Sequence, residues 1–180
     1  MPEPLFFHHE TVQIDRIELG IGAIWQGQDL LYSSLSPDRS VALQRGLETL
    51  QLSTLDCRPF PESLAQQFHM ALQGEPISWS WIASPRHGTP FQTRIWRALE
   101  EIESGQRITY SQLAATVGSP GAARAVGNAC SRNPLPLRIP CHRVVAANGK
   151  LGGFTGDLRV KECLLAREAT ANSVQHPLHS

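Results

Sequence analysis

Residues 109–129 read TYSQLAATVGSPGAARAVGNA, and this stretch decides the fold. Thr109-Tyr110-Ser111-Gln112 sets a hydroxyl and, three positions on, a carboxamide. That pair forms a capping box, in which each side chain accepts from the other residue's amide and a helix starts. The predicted helix runs through Leu113, Ala114 and Val117 and closes at Gly118. Ser119-Pro120 is placed to cap a second helix at once, over residues 121–129. Two short helices joined by a glycine turn form a helix-turn-helix. Small residues surround a single arginine, Arg124, on the second helix. Such a helix can approach a phosphate backbone closely and push one long side chain forward, whereas a major-groove reader carries several polar side chains. The competing reading is a small-residue helix buried in the core. Arg124 argues against it, because an unpaired buried guanidinium is costly.

Upstream, Thr89-Pro90-Phe91-Gln92 is another capping box with proline at the first helical position. Phe91, Ile95, Leu99 and Ile102 make one apolar stripe, and Gly105 is read as the stop. Residues 84–88 read as a linker between an N-terminal domain (1–83) and a C-terminal domain (89–169), with a polar, disordered tail over 170–180. The first half reads as a small α/β unit. Short β-rich runs cover 11–17, 21–25 and 29–34, with Gly20 and Gly22 at one junction and Gly27-Gln28-Asp29 as a turn at the next. Two helical patterns follow, one through Val41, Leu47 and Leu50, the other from Pro61 through Leu64, Phe68 and Leu72. No catalytic signature falls here, and this half is read as a scaffold.

Net charge is zero over 180 residues, but the two halves differ. Residues 1–85 carry 4 Lys+Arg against 10 Asp+Glu, and residues 86–180 carry 12 against 6, so the halves stand at −6 and +6. Fourteen of the sixteen cations are arginine, which suits bidentate contact with phosphate. An acidic domain docked on a basic one would show the same split. No apolar run approaches membrane-spanning length. Met1-Pro2-Glu3-Pro4 lacks the basic and apolar regions of a secretory signal. Cys57, Cys130, Cys141 and Cys163 show no CxxC spacing, which suggests free thiols in a reducing, cytoplasmic setting.

Downstream of the helix pair stands Ile139-Pro140-Cys141-His142-Arg143-Val144, entered through Asn133-Pro134-Leu135-Pro136 and followed by a glycine-rich loop. A thiol beside a histidine on a stiff, apolar, extended segment reads as a nucleophile facing a substrate cavity. Adjacent residues on a strand face opposite ways, so pairing Cys141 with His142 needs a bend at Pro140 or a bridging water. Glu168 is the candidate to orient the histidine. Zinc is the weaker reading, because Cys141 and His142 with His8, His9 or His87 give no ligand spacing.

These residues bring out a resemblance. Gly88-Thr89-Pro90-Phe91-Gln92, Ile108-Thr109-Tyr110-Ser111-Gln112-Leu113-Ala114, Ala122-Ala123-Arg124-Ala125-Val126-Gly127, Asn133-Pro134 and Ile139-Pro140-Cys141-His142-Arg143-Val144-Val145 resemble the O6-alkylguanine-DNA alkyltransferase family, also called methylated-DNA–protein-cysteine methyltransferases. The acidic first half and the length are similar to the two-domain members. The resemblance implies an α/β N-terminal domain with a small ribonuclease-H-like sheet, and a mostly α C-terminal domain with a winged-helix-like helix-turn-helix. It implies direct-reversal DNA repair. O6-alkylguanine is flipped out of double-stranded DNA and its alkyl group passes irreversibly to Cys141, once per molecule.

Roles follow from the same resemblance, position by position. Cys141 is the alkyl acceptor, His142 activates it through water, Glu168 is the carboxylate partner and Asn133 braces the site. Tyr110 helps rotate the nucleotide and protonates the leaving guanine. Arg124 fills the gap in the duplex from a helix lying in the minor groove, where Ala123 allows close approach. Ser111 and Ser119 contact the DNA backbone. Pro136, Val144, Phe154 and Thr155 belong to the guanine pocket. Phe154 stands where some members carry tyrosine, which keeps stacking and removes a hydroxyl contact. The thiol itself is the acceptor, so no metal or organic cofactor is implied. A monomer with no membrane partner is expected, with O4-alkylthymine as a further substrate and cooperative assembly on DNA both left open. Two other readings compete. One is a lesion sensor that does not accept the alkyl group, whose relatives replace the cysteine. The other is a cysteine hydrolase, which needs a histidine from a separate segment and an oxyanion hole.

Overall fold

The computed structural model describes residues 3–154 and 156–175. Three strands open the chain as an antiparallel meander: β1 (Phe6–Ile14), β2 (Ile17–Gln26) and β3 (Asp29–Leu35). Two-residue strands, β4 (Asp56–Cys57) and β5 (Ile82–Ala83), add in parallel at the edges, giving the order β4-β1-β2-β3-β5. Leu19, Ile21, Ala23 and Trp25 alternate onto one face, where they pack with Leu64, Phe68 and Leu72 of α2 (Glu62–Gln73). Phe7, Ile24 and Tyr32 face the other way, with Ala42 and Leu50 of α1 (Arg39–Leu50). The first of these two cores runs on without a break into Ile95, Trp96, Leu99, Val160 and Leu164 of the second half.

The first strand boundary differs from the expected one. The β1–β2 turn falls at Asp15, which takes a left-handed φ of 52°, and β2 runs straight through Gly20 and Gly22. Those glycines serve close approach. A Cβ at Gly20 would stand 2.0 Å from the Ser36 carbonyl oxygen and 2.3 Å from His9 Nε2.

The second half is built around the helix pair of residues 109–131. Both capping boxes form. Gln92 N donates to Thr89 Oγ1 at 3.2 Å and Thr89 N to Gln92 Oε1 at 2.8 Å, starting α3 (Pro90–Glu100). Gln112 and Thr109 repeat the same pair of distances at the head of α4 (Tyr110–Thr116). Each cap stabilises its helix by about 1 kcal/mol. α3 stops at Glu100, ahead of Gly105. α5 (Ala123–Ser131) starts later than expected and has no side-chain cap, so Ser119 is a turn residue whose carbonyl accepts from Ala122 N. Left-handed backbone at both Gly118 and Gly121 lengthens the turn and delays the helix. The last helix, α6 (Leu158–Gln175), carries helical order through residues 170–175, which composition alone marked as disordered. Asn172 Nδ2 donates to the Ser104 carbonyl at 2.7 Å and fastens that end. The remainder of the expected tail lies outside the described residues. Among the described residues no helix is long and apolar enough to cross a membrane.

One small pairing positions the site. β6 (Ile108–Thr109) lies parallel to β7 (Val144–Val145), so the residue before α4 and the residues after Cys141–Arg143 share a ladder. The ladder fixes the start of α4 against the chain leaving the Cys141–Arg143 turn.

Candidate active site

Cys141 does not sit on an extended strand. Pro140 takes φ −81° and ψ 63°, and Cys141–Arg143 form a single 3-10 turn. Cys141 N donates to the Ile139 carbonyl at 2.8 Å, and Arg143 N to that of Pro140 at 3.1 Å. The bend frees Cys141 and His142 from opposite-face geometry. Cys141 is 5% exposed. Asn133, buried beside it, ties the preceding loop from within: its Nδ2 donates to the Ile139 carbonyl at 2.8 Å and its Oδ1 accepts from Leu135 N at 3.0 Å.

His142, next in the turn, belongs to a polar cluster with Glu168 and Arg143. His142 Nε2 lies 2.9 Å from Glu168 Oε1. The Arg143 guanidinium grips the same carboxylate, with NH2 at 2.7 Å and Nε at 3.1 and 3.2 Å from its two oxygens, while NH1 donates to the Ile102 carbonyl. Gly105 N adds a bond to Oε2 at 3.1 Å. Burial by itself would raise the Glu168 carboxyl, but the bonds from His142 and Arg143 outweigh it and bring the pKa to about 2. Burial lowers the pKa of His142, against the pull of Glu168. An ionised carboxylate facing a neutral imidazole fixes the tautomer: Nε2–H donates to Glu168, leaving Nδ1 as the base.

Stability should follow these two shifts. Both native pKa values lie below the ordinary ones of 6.5 and 4.5. Their contributions are complete above pH 6.5 and fade as protons bind preferentially to the unfolded chain, with the Glu168 share lost between 4.5 and about 2. The melting temperature is expected to fall as the pH drops from about 7 to about 2. A flat profile across that window would show the cluster to be uncoupled from folding.

Burial raises the thiol pKa of Cys141, partly offset by Asn133 and by the charge of Lys161. Lys161 is completely buried, and its Nζ donates to the carbonyls of Val144 at 2.7 Å and Gly153 at 3.1 Å. Arg143 and Lys161 are the site residues that motif reasoning passed over. The adjacency of Arg143 to His142 was the available signal for the first.

Two cavities meet at Cys141. One, of about 470 Å³, is lined by Tyr110, Ala123, Arg124, Gly127, Cys130 and Phe154 besides Cys141. The other, of about 210 Å³, lies among Ser33, Asn133, Pro134, Pro136 and Phe154. A larger cleft of about 750 Å³ opens behind His142 and Glu168 and does not reach the thiol. Tyr110 heads α4, its hydroxyl donating to the Gly153 carbonyl at 3.3 Å. Gly152 has φ 68°, and a Cβ there would lie 2.8 Å from the Tyr110 hydroxyl, so any side chain at this position would be strained and would displace the Tyr110 ring. Arg124 is exposed on α5, Ser111 is exposed in the first turn of α4, and Ser119 is half-buried in the turn between the helices. Val144 lines neither cavity; its side chain is buried and its carbonyl is engaged by Lys161. Thr155 lies outside the described residues.

Of the other thiols, Cys130 shares the larger of the two cavities with Cys141, and Cys57 lies away from it. Cys130 is buried, and burial pushes its pKa up to about 12. Cys57 is exposed on edge strand β4, where Arg39 NH2 lies 3.0 Å from its sulfur. His8 packs edge-on against Phe60, and His9 Nε2 lies 2.8 Å from the Ser36 carbonyl oxygen. Among the described residues no group of three or more His, Cys, Asp or Glu side chains is disposed to hold a metal ion.

The fold and site define a protein built to present one shielded thiol to a group entering beside a helix-turn-helix. A family profile described as "6-O-methylguanine DNA methyltransferase, DNA binding domain" matches residues 90–170. The methylated-DNA–protein-cysteine methyltransferase of Methanosarcina acetivorans is 41% identical over 118 residues, covering 66% of this chain and 75% of that one. Its counterpart in Methanosarcina barkeri is 34% identical over 151 residues, covering 78% and 95%. The crystal structure of Mycobacterium tuberculosis OGT in complex with DNA superposes with a TM-score of 0.76 at 29% identity, covering 92% of this chain and 94% of that one. The chain belongs to the methylated-DNA–protein-cysteine methyltransferase family.

Proposed function

We propose that this protein repairs DNA by direct reversal, removing the alkyl group from O6-alkylguanine in duplex DNA and keeping it on Cys141. The observation that carries the reading is a buried thiol at the meeting of two cavities, backed by the His142–Glu168–Arg143 cluster. The Cys141 sulfur attacks the alkyl carbon, the carbon–O6 bond breaks, and guanine leaves with that electron pair. The thiol proton passes to His142 Nδ1 through one water, and Tyr110 returns a proton to the departing base. Glu168 and Arg143 hold the imidazole in its basic tautomer, and Asn133 and Lys161 favour the thiolate. The product is a thioether with no leaving group, so each molecule reacts once.

The cavity of about 470 Å³ opens beside α5, and we assign it to the flipped guanine, with Phe154 stacking on the base and Pro136, in the adjoining cavity, walling the alkyl side. Arg124 enters the vacated position from the minor groove, with Ala123, Ser111 and Ser119 against the DNA backbone. A binding unit at residues 89–169 and a supporting unit at residues 1–83 match the charge split. One chain supplies every group named, so we take the working unit as a monomer. O4-alkylthymine presents the same alkyl–oxygen bond and falls within the same reading. The four free cysteines suit the reducing cytoplasm.

The test is intact-protein mass spectrometry after incubation with a duplex carrying one O6-methylguanine, followed by peptide mapping. One methyl per molecule on Cys141, in proportion to lesion supplied, is the expected result. An unchanged mass with lesion binding retained would make the protein a sensor instead.

A further inference from the structure

Strand β3 reaches the acceptor site with a residue outside the motifs. Ser33 is almost wholly buried and pairs with Ala23 of β2. On its other side β5 covers β3 only as far as Leu30, so the Ser33 amide would be an unpaired edge donor. It is met by the loop that leads to Cys141: Ser33 N donates to the Pro134 carbonyl at 2.8 Å, and Ser33 Oγ to the Pro136 carbonyl at 3.0 Å.

That loop depends on outside partners. Pro134, Pro136 and Pro140 have no amide hydrogen, which limits the bonds the loop can make to itself. Leu137 is held at a left-handed φ of 72°, a conformation costly for a leucine and kept only where the surroundings enforce it. Asn133 ties the loop from inside, and Ser33 ties it from the N-terminal sheet. Ser33, Pro134, Pro136 and Cys141 line the same cavity.

We propose that Ser33 is a positioning residue for alkyl transfer: through its two bonds the N-terminal sheet sets the cavity wall opposite the acceptor thiol. The proposal rests on Cys141 being the acceptor. Slackening of the loop lets the strained segment relax and widens the spread of sulfur–carbon approaches, and displacement in nucleophilic attack is sensitive to misplacement on that scale.

Single-turnover alkylation of Ser33→Ala, Ser33→Thr and Ser33→Val tests it, using free O6-benzylguanine and an O6-methylguanine duplex, each over a concentration series. Threonine and valine share a shape suited to a strand, so their comparison isolates the hydroxyl from packing and from folding. The maximal rate constant of Ser33→Ala and Ser33→Val is expected to fall about fivefold with both substrates, the rate equivalent of one neutral hydrogen bond. Ser33→Thr should restore most of it, and affinity for undamaged duplex should stay constant across the set. Equal rate constants for Ser33→Thr and Ser33→Val would overturn the proposal, as would slowing confined to the duplex. Failure of the wild-type protein to become alkylated at Cys141 would instead remove the acceptor reading beneath it.

Discussion

A Cys141→Ala variant should gain no mass from a duplex carrying O6-methylguanine, while still binding that duplex. The expected effect is complete, because no other group can take over. Cys130 lines the same cavity, but burial holds its pKa near 12 and leaves it protonated at neutral pH. Cys57 is exposed on an edge strand, and Cys163 lies on α6; neither lines either cavity. The fold should survive, since the substitution removes one sulfur from a packed site and costs on the order of 1 kcal/mol. Lesion binding should survive too, because Tyr110, Arg124 and the α5 surface are untouched. Intact-mass analysis and a binding titration read the two halves of the expectation separately. Covalent methylation persisting in the variant would sink the acceptor assignment.

Glu168→Gln should damage both chemistry and stability. The carboxylate accepts from His142, from Arg143 through two nitrogens and from Gly105, with only 2% of the residue exposed. An amide at that position keeps one acceptor oxygen and introduces two donors facing donors. The Arg143 charge is then left largely buried without its counterion, and breaking a buried pair in this way costs about 3–5 kcal/mol. His142 loses the group that fixes its tautomer, so the transfer rate should drop at least about 100-fold. Urea unfolding at neutral pH and single-turnover kinetics are the two measurements. A variant within about 1 kcal/mol of wild type, reacting at the wild-type rate, would mean that the cluster neither braces the fold nor serves the thiol.

The second half was legible in the sequence wherever the signal was local. Two capping boxes placed α3 and α4, because the residues of each box lie within a few positions of each other. Reading failed where a residue answers to something distant. Gly20 and Gly22 looked like turn punctuation, yet they are small because His9, Ser36 and Ala42 press on β2 from other segments. Lys161, beside Glu162 on a helix, reads as solvated, and only the fold shows it turned inward onto two carbonyls. Ser33 gave no local signal at all, since its partners lie about a hundred residues on. The Ser119-Pro120 cap failed for a related reason: two left-handed glycines in succession lengthened a turn that composition alone would have kept tight.

The deep seat of Cys141 bears on the protein's shelf life. A molecule that reacts once is wasted by any encounter with the wrong electrophile, and a cell holds many soft electrophiles besides damaged guanine. Burial raises the pKa of the resting thiol and leaves the residue only 5% exposed. Discrimination against stray reagents is thus achieved by concealment, and a chain that loses its fold loses that immunity with it.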